Sequence, residues 1–156
     1  GQRIVLVFLD AHLFRIGEEP SRGIVYKGIR ACPVSRDDYM DSYEGKHLPV
    51  PHCIENTDGH KLYGSVADCV SGEDIVFRKT TFGSDALYEY LKTACYGSVE
   101  LVGVVTNICV VANAVLAKTA LPDADIIVDS MLTASNDERL HNAALDTMEG
   151  MQIIIK

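Results

Sequence analysis

Apolar residues in this chain gather in short unbroken runs, not in stripes that alternate with polar positions. "RIVLVFLD" (3–10) is the first, an apolar run closed by an acid. A strand covered on both faces needs apolar side chains on both, so such a run predicts a strand inside a sheet. "DIVFR" (74–78), "SVELVGVVT" (98–106), "ADIIVDS" (124–130) and the closing "MQIIIK" (151–156) repeat the pattern. That makes five predicted strands.

Helical patterns lie between the runs. "EEPSRGIVYKGIRA" (18–31) opens with acids and Pro20 and then turns basic, the charge order that suits a helix dipole, although Gly23 and Gly28 oppose it. "SDALYEYLKTA" (84–94) offers Ser84 as N-cap and spaces Leu87, Tyr90 and Leu91 along one face. "NICVVANAVLAKTAL" (107–121) is apolar almost throughout, and "NDERLHNAALDTMEG" (136–150) starts with acids and ends at Gly150. Residues 32–60, with Pro33, Pro49 and Pro51 among turn formers, read as irregular. Strand and helix alternate along the chain. The expected fold is α/β, a three-layer doubly wound parallel sheet with helices on both faces and right-handed crossovers. No repeat or linker divides it, and residues 1–156 read as a single domain.

Composition narrows the function classes. A chain of 156 residues can bury a sizeable core. No apolar run approaches the ~20 residues that span a bilayer, so no membrane partner is expected. The opening runs straight into a strand pattern without a cleavage-site region, and the expected location is cytoplasmic. The formal charge of −8 repels phosphate backbones, and the 14 Lys and Arg residues form no cluster; nucleic acid is not an expected partner. Cys32, Cys53, Cys69, Cys95 and Cys109 are odd in number and lack CxxC spacing, which argues against a disulfide frame or a zinc finger.

In open parallel sheets the reactive groups collect beyond the carboxyl ends of the strands. Asp10 closes the first predicted strand, Lys79 follows the second, and Cys109 comes just after the third. If Thr106 or Asn107 caps the helix, Cys109 lies in its first turn, where unpaired N–H groups and the dipole favour an anion. Such placement can lower a thiol pKa from ~8.5 to roughly 3.5–7.5. The ammonium of Lys79 would act in the same direction, and Asp10 could carry the thiol proton to a leaving group. Backbone N–H groups at the helix start would face the oxygen of a tetrahedral intermediate. Each residue also has a plainer reading: Cys109 as a small core hydrophobe, Asp10 as a strand end, Lys79 as a solvated charge.

Three segments carry a family resemblance. "GVVTNICVVANAVLAKTALPDADIIVDSMLTASNDERLHNAALDTMEGMQIII" resembles the C-terminal half of the isochorismatase-like cysteine hydrolases, a superfamily that includes nicotinamidases. "FRKTTFGS" resembles its lysine motif, and "EGKHLPVPHCIENTDG" resembles its proline-His-Cys segment. The resemblance implies that Cys109 is the nucleophile, that Lys79 activates it and that Asp10 shuttles the proton. It implies an oxyanion hole made by the amides of Val105 and Cys109, with a cis peptide at Val104–Val105. The implied reaction is hydrolysis of a small amide through a thioester, with release of ammonia; nicotinamide is the best-known substrate type. A homo-oligomer is implied as well.

The N-terminal third departs from the family. Its usual second strand, ending in an Asp-x-His pair, has no evident counterpart, so one strand of the sheet is expected to be missing. His52 matches one metal ligand of the nicotinamidases without secure partners, and zinc or a similar divalent ion is possible without being required. A second alignment takes "FLDAHL" as the Asp-x-His strand, making Asp10 and His12 ligands. In the first, His12 stands where the family has glutamine, and Asn107 where it has an Asp before the nucleophile. His47, His60 and His141 read as surface residues, and Tyr39, Tyr43 and His47 as candidate pocket wall. A scaffold that binds without turnover and a redox-sensing thiol are the other classes these residues permit.

Overall fold

Eleven elements follow one another in the computed structural model, which describes residues 2–8, 29–33, 42–47, 57 and 75–156. They are β1 (Gln2–Phe8), β2 (Ile29–Pro33), α1 (Tyr43–Lys46), β3 (Val76–Lys79), α2 (Asp85–Thr93) and β4 (Tyr96–Val104). A wide turn (Thr106–Val110) then leads into α3 (Val111–Ala120), followed by β5 (Asp125–Ala134), α4 (Glu138–Gly150) and β6 (Ile154–Ile155). The six strands form one sheet in the order β3-β2-β1-β4-β5-β6, and every neighbouring pair is parallel. The doubly wound α/β expectation holds.

The strand count does not. β2 occupies Ile29–Pro33, taking the last three residues of the predicted helix 18–31 and the first two of the segment read as irregular, and pairs with β1 on one side and β3 on the other. The sheet therefore has six described strands where five were expected. The segment "IRACP" is short, preceded by Gly28 and closed by Pro33, which hide a strand signal. Its proline is at the carboxyl end, opposite Lys79 of β3. The rest of the predicted helix, residues 18–28, lies outside the described residues.

The chain moves from β1 outward through β2 to β3, then returns to the other side of β1 as β4. The strand order reverses between β1 and β4, and this switch point is where a doubly wound sheet opens a crevice for ligands. The crossovers β3→β4, β4→β5 and β5→β6 all run in one direction. Right-handed connections therefore put α2, α3 and α4 on a single face, where α3 packs against both of the others. Leu87 and Leu91 of α2, Val99 and Leu101 of β4, Val110, Ala114 and Ala117, Ile126 and Val128 of β5, and Met148 of α4 are fully buried there. Each large side chain of this set contributes about 1.5–3 kcal/mol by leaving water.

Helices α2 and α4 begin as their sequences predict. Ser84 is extended and its hydroxyl accepts from Leu87 N at 3.2 Å; Asp137 does the same for Leu140 N at 2.9 Å. Of the predicted stripe on α2, Leu87 and Leu91 are buried, while Tyr90 is half-buried and its hydroxyl meets that of Tyr96 at 2.8 Å.

Candidate active site

The carboxyl end of β4 carries the cysteine. Gly103 has φ 106°, a conformation that favours glycine, and the Val104–Val105 peptide is cis, as the family resemblance implies. Val105 is extended and starts the wide turn, in which Val110 N donates to Val105 O, five residues back, at 3.1 Å. Cys109 lies within that turn and is buried.

The expected cap is not there. Val105 is the residue at the N-cap position, and no side chain caps the turn. Thr106 Oγ1 instead pairs with His141 Nδ1 of α4 at 2.9 Å, and Asn107 Oδ1 accepts from Ser135 Oγ at 2.5 Å. Both polar side chains are engaged by the neighbouring β5–α4 segment. His141, expected at the surface, is half-buried by this contact.

Lys79 ends β3 and is 4% exposed. Its Nζ donates to Thr81 O at 2.9 Å and lies 3.4 Å from Cys109 Sγ. A buried ammonium is costly unless paired, and these two contacts offset that cost. The solvated-charge reading of Lys79 is thereby excluded. Two of the three residues singled out in the sequence come together.

Asp10 lies outside the described residues. The strand preceding it is placed: Phe8 of β1 pairs with Gly103 of β4, so the carboxyl ends of these strands are neighbours at the switch point. His52 and His12 also lie outside the described residues, as do His60 and Tyr39. Among the described residues no group of three His, Cys, Asp or Glu side chains could hold a metal ion. The described part of the site thus offers no ligand set for zinc.

Sequence reasoning missed two supports. Asn113, fully buried in α3, accepts from Ser84 N at 2.9 Å and donates to Phe82 O at 3.0 Å and to Cys109 O at 2.7 Å. Its signal was a lone amide in "VVANAVLA", four positions after the cysteine and so on the same helical face. Glu44 of α1 accepts from Phe82 N at 3.0 Å, which ties the "EGK" segment to the lysine loop. Tyr43 and His47, candidates for the pocket wall, are both exposed and stack on each other with ring centroids 4.3 Å apart.

The isochorismatase-domain family profile matches residues 27–155 of this chain. Several solved structures share its fold. A nicotinamidase/pyrazinamidase from Bacillus subtilis superposes with a TM-score of 0.72 at 19% identity, covering 99% of either chain. A pyrazinamidase/nicotinamidase from Streptococcus mutans gives 0.73 at 20% identity, covering 99% of this chain and 100% of the other. A pyrazinamidase from Pyrococcus horikoshii in complex with zinc gives 0.71 at 15% identity, covering 97% of each. No curated protein matches the chain. Among the described residues no helix is long and apolar enough to cross a membrane.

Proposed function

The chain belongs to the isochorismatase family, and on that premise we propose that it is a cysteine hydrolase of small amides, nicotinamidase-like in its chemistry. The observation that carries the reading is the buried contact of 3.4 Å between Lys79 Nζ and Cys109 Sγ. At that separation an ammonium and a thiolate attract by on the order of 5 kcal/mol at an effective dielectric of ~20, before desolvation is counted. The pair therefore favours the ionised sulfur, the form that attacks carbonyl carbon.

In this reading the sulfur of Cys109 adds to the amide carbonyl after its proton passes to Asp10. The amides of Val105 and Cys109 hold the oxygen of the tetrahedral intermediate. Asp10 then protonates the leaving nitrogen, which departs as ammonia when the amide is primary, and a thioester remains on Cys109. Water, deprotonated by Asp10, cleaves the thioester to the free acid and restores the thiol.

The working unit is read as one domain and as a homo-oligomer. Support for the latter comes from Ile75 and Val76, exposed apolar residues at β3, the outer described strand on that side of the sheet. Cys95 and Cys109 carry free thiols, which a reducing compartment such as the cytoplasm preserves. The test is release of ammonia from nicotinamide and a panel of small primary amides. Cys109→Ala is expected to abolish it; undiminished release by that variant would end the proposal.

A further inference from the structure

We propose that Asn113 is a positioning residue that sets the separation of Lys79 and Cys109 by clamping the loop behind the lysine to the turn that holds the sulfur. The inference rests on the cysteine-hydrolase reading and adds to it a residue that acts through main-chain groups.

The need for a clamp follows from the topology. β3 and β4 are not neighbours, because β2 and β1 lie between them. Three strand spacings amount to about 14 Å, so pairing within the sheet does not bring the lysine to the sulfur. The side chain has to reach across, and the loop from residue 80 to 84 has to hold its start in place.

One amide joins the two segments. An asparagine side chain offers one acceptor oxygen and two N–H bonds in a single plane. Here Oδ1 takes Ser84 N at 2.9 Å, while Nδ2 serves both Phe82 O at 3.0 Å and Cys109 O at 2.7 Å. The planar group fixes those three main-chain atoms relative to one another. Asn113 is 0% exposed, so solvent does not compete for these bonds. The loop also lies tight on α3: a Cβ on Gly83 would come within 3.0 Å of Leu116 Cδ1. On its other side, Thr81 O receives Lys79 Nζ and Glu44 Oε2 receives Phe82 N. A leucine of similar volume would fill the site but would leave all three main-chain groups without this partner.

Of the described titratable groups, Lys79 bonds the sulfur, His141 meets the turn at Thr106 Oγ1, and Glu44 faces the loop at Phe82 N. Loosening the clamp lets the ammonium drift from the sulfur and weakens its preference for the thiolate.

The experiment follows iodoacetamide alkylation of Cys109 in the full chain across pH, read by mass spectrometry of the Cys109 peptide, with Tm measured in parallel. Asn113→Leu is expected to slow alkylation at neutral pH by about tenfold and to move its pH midpoint upward. Asn113→Ser, which is smaller but keeps a hydroxyl that can hold part of the hydrogen bonding and serves if the leucine variant does not fold, is expected to move it in the same direction by less. In a Lys79→Met background the same substitutions are expected to change the rate less than about twofold, because the partner they position is gone. An unmoved midpoint in either folded variant, alongside an upward shift in Lys79→Met, overturns the role of Asn113 and leaves the hydrolase reading standing. Equal slowing with and without Lys79 overturns it too, since a purely structural residue would behave that way. If the wild-type thiol titrates like a free one and Lys79→Met does not move it, the activated-cysteine reading falls and the clamp with it.

Discussion

Three helices on one face of the sheet begin in two different ways. Before α2 and α4 an extended residue, Ser84 or Asp137, turns its own oxygen onto an N–H three residues ahead. Before α3 no side chain does this, and Thr106 and Asn107 are bound to His141 and Ser135 of the next segment. The capped ends use their polar side chains to stop the helix fraying. At the entry to α3 the polar side chains are instead held from outside by the next segment. Damage at the first kind of end should appear as lost stability, and at the second kind as lost chemistry.

The strongest break in that comparison is Lys79→Met. It keeps most of the length of the side chain but removes the ammonium 3.4 Å from the sulfur. We expect kcat/KM for a primary amide to fall by about 10²–10⁴-fold. The alkylation midpoint of Cys109 should rise, since the thiolate loses its counter-charge. A variant with wild-type turnover would mean that the lysine is buried for packing alone.

The two kinds of helix end were not equally legible in the sequence. Ser84 and the stripe of Leu87 and Leu91 announce α2 because caps and helical spacing are local, and both are found where expected. Lys79 and Cys109 were legible as residues at strand ends, because an open parallel sheet gathers such ends on one edge. What escaped depends on partners distant in the chain. The wide turn at 106–110 and the capture of Thr106 by His141 need a contact across 35 positions, which periodicity does not report. Asn113 interrupts an otherwise apolar helix, and its purpose lies in bonds to Phe82 and Ser84, about thirty positions away. β2 escaped for a local reason, since five residues that follow a glycine and end in a proline leave too short a pattern to read. Asp10 and His52 lie outside the described residues.

On the capped side, Leu87→Ala should cost about 2–5 kcal/mol of stability, because Leu87 is fully buried beneath the α2 cap. Denaturant melts measure this directly. The pH midpoint of Cys109 alkylation should stay in place in the folded variant. A shift would show that the core under α2 and the chemistry are not separable. Asp137→Ala is the milder version at α4. Losing the bond to Leu140 N should cost about 0.5–2 kcal/mol, with turnover kept in the folded fraction.

Ser135 is where the two kinds of end meet, and it gives the finest test. Its hydroxyl donates to Asn107 Oδ1 at 2.5 Å and accepts from Asp137 N at 3.2 Å, so one oxygen serves both the turn before α3 and the cap of α4. Ser135→Ala should lower stability by only about 0.5–1.5 kcal/mol, the net worth of an ordinary hydrogen bond at a half-buried site. It should also reduce kcat a few-fold, because Asn107 lies two residues before Cys109 and loses the contact that orients its amide. Ser135→Thr, which keeps the hydroxyl, should restore both. If stability falls and kcat does not, the outside hold on Asn107 is a second cap and nothing more, and the distinction between the two kinds of helix end narrows to the Lys79 contact alone.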